Sequence, residues 1–302
     1  MTPAIAILVD GEPNEENEYM RTTRTALLVV LVFALAITAS AERTRLKPGW
    51  NLFSPQQDIE LGRESAQQVE REMPLVHNTR AEAYISALGK RLASFAPGNE
   101  GYPFQFKIIN DKNINAFALP GGFVYVNRGA IESADNEAQL AGVIGHETGH
   151  VVLRHGTNQV SKSYLAQAPL AILGSVFGSN SLGGIVARLG GNLAITSLML
   201  KYSRTDESQA DLIGTQILYD AGYDPNAMVE FFEKIEQESK GSSVEFFSDH
   251  PKPENRISNV QKEIQKLGGL RPNPKIDSPE FQAIKKILLA MPAPPKTPSR
   301  GQ

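Results

Sequence analysis

Two histidines four residues apart with a glutamate between them, His146-Glu147-Thr-Gly-His150, are the residues whose types and spacing most plainly suit chemistry. On a helix, positions four apart lie one turn apart on one face. Both imidazoles can then reach one tetrahedral metal ion while Glu147 points beside it toward a water. Leu140, Val143, Ile144, Val151 and Val152 recur at near-helical spacing and predict that helix over residues 137–155. The pattern suits zinc-assisted hydrolysis with one Zn2+ per chain and Glu147 as the general base. The chain has only five histidines, so chance seldom produces this motif.

Two histidines leave a catalytic zinc one protein ligand short. Cysteine is absent, so His, Asp or Glu must supply the third. A metzincin-type extension would need Gly and His where the chain has Leu153 and Gly156. A helix expected over 203–220 carries Glu207-Ser-Gln-Ala-Asp211, again four apart on one face. One of the two can bind metal while the other orients a ligating imidazole. His250 follows Phe246-Phe247-Ser248-Asp249 and precedes two prolines, in a loop expected to end at a helix over 253–267. There it is free to donate to an oxyanion or to occupy the open zinc position.

The elements that must position these residues follow from periodicity and caps. Ser54 and Pro55 predict a helix start and an amphipathic helix over 55–73. A second helix over 81–95 places Tyr84, Leu88 and Leu92 on one face, and His77 lies in the loop between the two. Residues 104–110 and 122–127 read as strands, with Pro120-Gly121-Gly122 turning into the second. An edge strand there, Gly122, Phe123, Val124, Tyr125 and Val126, could receive an extended peptide by strand addition; as an ordinary hairpin strand it would have no substrate role. After His155 the stretch 165–200 is small and apolar but is broken by Ser175, Asn180, Arg188 and Asn192 before reaching 18 apolar residues. Buried helices joined by a glycine loop are expected, with a lid hinged at the glycines or a membrane-dipping hairpin as the alternatives.

Composition excludes several classes. The first 41 residues hold five acids and two bases, which leaves 28 of each beyond them and no electrostatic footprint for nucleic acid. Disulfides and cysteine nucleophiles are ruled out. Residues 20–41 read as a secretory signal: a basic start, an apolar core over 26–37 and the small-residue ending Ala39-Ser40-Ala41. Cleavage would export residues 42–302 to the periplasm or cell envelope. The rival, an uncleaved N-terminal anchor, would associate the protein with a membrane. The expected organisation is an N-terminal extension and signal (1–41), a catalytic domain (42–267), and a C-terminal helix with a Pro-rich tail (268–302). Nothing in the sequence sets an oligomeric state.

Taken together, His146-Glu-Thr-Gly-His150, Glu207-x-x-x-Asp211 and Asp249-His250-Pro251 with Arg256 resemble the zinc metalloendopeptidases related to the CaaX prenyl proteases. Residues 115–126 resemble the strand that precedes the metal helix in that family. The resemblance implies an α+β, mainly helical zincin-like domain with a small sheet whose edge strand borders the cleft. It implies that His146, His150 and Glu207 bind zinc, that Glu147 activates water and that Asp211 supports a ligand. His250 and Arg256 would belong to the active site, and Gly122 to Val126 would border the substrate groove. The implied substrates are polypeptides, misfolded or unassembled envelope proteins among them. The chain departs from membrane-integral relatives, which have spanning helices around the metal site. With 35 residues after Leu267, an appended helical-repeat domain is not expected, and a single-domain exported protease is the expected closer analogue.

Overall fold

The computed structural model describes residues 42–99, 101–167, 201–238 and 245–294. The expected signal segment, nearly all of the apolar glycine-rich stretch and most of the Pro-rich tail lie outside the described residues.

Helix α1, Pro55–Glu72, begins as its residues dictate. Ser54 accepts from the Gln57 amide, the Gln57 side chain accepts from the Ser54 amide, and Pro55 occupies a first-turn position where no amide is needed. Helix α2, Thr79–Ala93, starts earlier than residue 81 because Asn78 accepts from the Ala81 amide and caps it. His77 is exposed in the loop between them.

Strands β1 (Gln105–Ile109), β2 (Ala116–Leu119) and β3 (Phe123–Asn127) form one sheet in the order β1-β3-β2. β1 runs parallel to β3 and β2 antiparallel to it. This corrects the expectation that Gly122 to Val126 form a free edge. Phe123, Val124, Tyr125 and Val126 lie in the central strand, paired on both sides, so their main-chain groups cannot receive a peptide. Gly122 closes the short 3-10 turn Pro120–Gly122 instead. The edge nearest the metal helix is β2, which periodicity alone did not mark as a strand. Both faces of β3 are covered. Phe123 and Tyr125 pack with Ala66 and Val69 of α1, while Val124 and Val126 join the main core. At the turn, Gly121 has φ 72°, and a Cβ there would lie 2.5 Å from the Ile59 Cα, so the close approach of α1 needs glycine.

After α3 (Arg128–Ser133), helix α4 (Glu137–Val152) crosses the centre of the molecule, capped by Asn136 and buried at every residue. It stops short of 155. Arg154 adopts φ 57°, a left-handed conformation, and the chain restarts as α5, His155–Gln167. Then come α6 (Arg204–Asp220), α7 (Asn226–Glu238), α8 (Glu245–Asp249), α9 (Arg256–Lys266) and α10 (Pro279–Ala290). α6 opens on a capping box between Ser203 and Asp206 and makes the most extensive helix pairing with α4. Glycines on α4 permit this closeness: Cβ atoms on Gly142 and Gly149 would strike the backbones of Met228 on α7 and Ala210 on α6. From α10, Phe281, Ile284 and Leu288 enter the same main core as α4. Among the described residues the chain is mainly helical with one small mixed sheet, α+β as expected. No helix among the described residues is long and apolar enough to cross a membrane.

Candidate metal centre

Helix α4 carries His146, Glu147 and His150; α6 brings Glu207 and Asp211 to its glycine face; the end of α8 delivers His250. Ligand atoms of His146, His150, Glu207 and His250 all lie within 4.8 Å of one another, and all four residues are buried. The separations are His146 Nε2 to His150 Nε2 3.1 Å, His146 Nε2 to His250 Nδ1 3.4 Å and Glu207 Oε1 to His250 Nδ1 3.1 Å. Glu207 also stands 3.3 Å from both His146 Nε2 and His150 Nε2. Four ligands at bonds of about 2.0–2.1 Å around a tetrahedral ion would be about 3.3–3.4 Å apart. The observed edges fit that figure, so the donor set suits a metal of the zinc type.

Each of the three imidazoles is held by neighbours outside the cluster. His146 Nδ1 donates to Asp211 Oδ1 at 3.0 Å, and Arg256 Nε donates to Asp211 Oδ2 at 2.7 Å. In its neutral, metal-binding form His146 then presents an unprotonated Nε2 to the cluster. The Arg256 guanidinium lies 4.4 Å over the Phe232 ring, which stacks on Phe246; Phe246 in turn stacks on His250 at 4.5 Å and 9°. His150 is stacked by Tyr202 at 3.9 Å and 23°.

Glu147 differs from the ligands. It is fully buried, and neither carboxylate oxygen has a hydrogen-bond partner among the described residues; the nearest opposite charge is His250 Nε2 at 3.6 Å. Burial, only partly relieved by His250 and His146, pushes its carboxyl up to about 6. A buried acceptor left unpaired is costly, and such cost collects at functional sites. Burial also opposes charge on Glu207, yet His250 and His146 hold it well below the usual carboxylate range. Burial works against a charged His146, but Glu207 and Asp211 outweigh it and raise it to about 10. His150, with no carboxylate behind it, is held well below its ordinary value by burial.

Every polar residue singled out from the sequence therefore meets at one place: His146, Glu147, His150, Glu207, Asp211, His250 and Arg256. The residues proposed for a substrate edge do not. Ala118, Leu119 and Pro120, not the central strand, line a small crevice with His150 and Tyr202. A cavity of about 690 Å³ lies between α2 and β1 and is bordered by Lys90, Tyr102 and Lys107, with none of the seven at its wall.

Two residues beside His150 were not assigned from sequence. On a helix running unbroken to 155, His155 would point about 140° away from His150. The break at Arg154 cancels that offset and puts His155 Nδ1 3.0 Å from His150 Nδ1. Tyr202 carries no motif; only proximity to Glu207 in sequence could have flagged it.

Residues 79–264 match the family model described as Peptidase family M48. The chain is similar to the beta-barrel assembly-enhancing protease of Yersinia pestis, 31% identical over 88% of this chain and 57% of that protein. To the protein of the same name from Escherichia coli (strain K12) it is 34% identical over 78% of this chain and 49% of that one. To metalloprotease YcaL of Escherichia coli (strain K12) it is 30% identical, over 59% of this chain and 71% of that protein. The chain spans about half the length of the beta-barrel assembly-enhancing proteases it matches.

Proposed function

The chain belongs to peptidase family M48, and from that premise we propose that it is a zinc-dependent endopeptidase that hydrolyses peptide bonds in cell-envelope polypeptides. The observation that carries the reading is the buried, unpaired carboxylate of Glu147 beside four converging ligand atoms. His146, His150 and Glu207 would hold the ion, with Asp211 and Arg256 bracing His146. Bound there, zinc would supply Lewis acidity, lowering the pKa of water from 15.7 to about 7 and polarising a carbonyl. Glu147 takes a proton from the attacking water and passes it to the leaving amine, which its raised pKa favours near neutral pH. His250, whose Nε2 lies 3.6 Å from Glu147, would donate to the oxyanion that develops. The edge strand β2, beside His150, is the segment suited to hold an extended substrate.

Export to the periplasm or envelope is supported by the signal-like residues 20–41, and the name of the relatives suits substrates drawn from β-barrel assembly. Metal content of the purified protein, with cleavage of a denatured polypeptide before and after chelation and zinc add-back, tests the activity. Cleavage that survives complete metal removal would refute it.

One observation favours a second reading, a binding or chaperone module with a self-inhibited site. His250 Nδ1 is itself among the four converging ligand atoms, and a site closed by a fourth protein ligand leaves no position for water. Replacing His250 by Ala separates the two: turnover rises if His250 closes the site and falls if it serves the oxyanion.

A further inference from the structure

The two ligating histidines are braced by different chemistry. Behind His146 stands a carboxylate, Asp211. Behind His150 stands another imidazole, His155, buried and 3.0 Å away between Nδ1 atoms. One nitrogen of such a pair must carry the proton and the other must accept it. The far side of His155 decides which. Its Nε2 faces Gln209 Oε1 at 3.1 Å and Asp206 Oδ1 at 3.8 Å. The Gln209 carbonyl oxygen can only accept, and the nearby Asp206 charge favours a donor facing it, so Nε2 of His155 carries hydrogen and Nδ1 offers a lone pair. His150 then donates from Nδ1, and its Nε2, the atom 3.1 Å from His146 Nε2 and 3.3 Å from Glu207, is left unprotonated.

We propose that His155 is a positioning residue that locks the tautomer of His150, relaying an acceptor from Gln209 and Asp206 so that His150 Nε2 always presents its lone pair to the metal. The inference rests on the reading that this cluster binds zinc.

A second, independent feature places His155 there. Arg154, just before it, is one of three non-glycine residues with positive φ among the described residues, at 57°. Such a conformation persists only where the surroundings impose it. Here they do: the Arg154 guanidinium donates to both oxygens of buried Asp58, at 2.6 and 3.1 Å, and to the Phe53 carbonyl. Asp58 also accepts from Tyr102 at 3.2 Å. The turn that breaks α4 from α5 is thus held from α1, and its consequence is to swing His155 back onto His150. With Tyr202 stacked on its face and His155 at its edge, the His150 ring has its orientation fixed in two directions.

Asn and Leu at position 155 have nearly the same shape, but only Asn offers an acceptor near the place of the histidine Nδ1. The test measures zinc affinity by chelator competition for the parent, His155→Asn and His155→Leu, with far-UV circular dichroism to check folding. His155→Leu is expected to bind zinc about 10- to 100-fold more weakly, the usual effect of removing such a brace, and His155→Asn to stay close to the parent. Equal affinity of the Leu form and the parent, or equal loss in both variants, overturns the relay. Should the Leu form not fold, long-range proton–nitrogen correlation spectra of the zinc-loaded parent decide. His155 protonated on Nε2 alone supports the proposal; a proton on Nδ1 overturns it. A parent that binds no zinc sinks the metal reading itself, whereas tight zinc binding by a folded His155→Leu form sinks only the relay.

Discussion

Gly149 of α4 faces Ala210 of α6 so closely that a Cβ on Gly149 would lie 2.9 Å from the Ala210 carbonyl oxygen and 3.1 Å from its Cα. The next residue on each helix belongs to the site: His150 on one, Asp211 on the other. This backbone contact therefore sets the distance from which Glu207 and Asp211 reach the imidazoles. In Gly149→Ala, better helix propensity would contribute about 1 kcal/mol, but α6 must retreat, an overpacking that costs about 1–3 kcal/mol. The expected result is a lower melting temperature together with weaker zinc binding. A variant with parental values for both would show that the two helices can part without disturbing the ligands.

Glu147→Gln keeps the shape of the side chain and removes its ability to take a proton. Because Glu147 is not one of the converging ligands, zinc content should be unchanged. Cleavage of a denatured polypeptide should fall by about 10²–10⁴-fold, the range for loss of a general base. Retained turnover would sink the assignment. Lost zinc would show that Glu147 serves the ion and not the water.

The metal helix and its partners were legible because their signals are short in range. His146, Glu147 and His150 need only a helix to converge, and Glu207 with Asp211 needs only a second one. The cap at Ser54 was equally local. What sequence hid depends on tertiary pairing. Strand order is one case: Phe123 to Val126 have the apolar run of a buried strand, but only the parallel approach of β1 makes them central. His155 is another, since its place beside His150 depends on Arg154 being held in a left-handed turn by Asp58 nearly a hundred residues earlier. The glycines of α4 could have been read as a close-packing face, yet which helix they admit is not a local property.

Asp211 joins two buried cationic or polar groups, His146 and Arg256, and is itself 1% exposed. Asp211→Asn keeps an acceptor for one of them but removes the charge that pairs with Arg256. Loss of a brace behind a ligating imidazole weakens metal binding about 10- to 100-fold, and stranding a buried charge costs about 3–5 kcal/mol. The variant should therefore melt earlier even without metal, unlike Glu147→Gln. Chelator competition and thermal melts with and without zinc measure the two effects separately; a loss of zinc affinity with no change in metal-free melting would remove Arg256 from the account.

Glu137, the first residue of α4, ties the metal helix to the C-terminal segment. Its carboxylate accepts from Lys275, Ser278 and Tyr223, and burial alone would push it up, but these bonds, Lys275 foremost, hold it below the ordinary 4.5. The unfolded chain thus binds a proton at higher pH than the folded one. The stability Glu137 contributes is complete above about pH 4.5 and is lost as pH falls through the lower folded value. Glu137→Gln should accordingly melt below the parent at neutral pH, with the gap narrowing as pH drops below about 4.5. A gap that stays constant across that range, in melts followed by circular dichroism, would mean that the charge of Glu137 contributes nothing and that shape and hydrogen bonding alone hold this end of the helix.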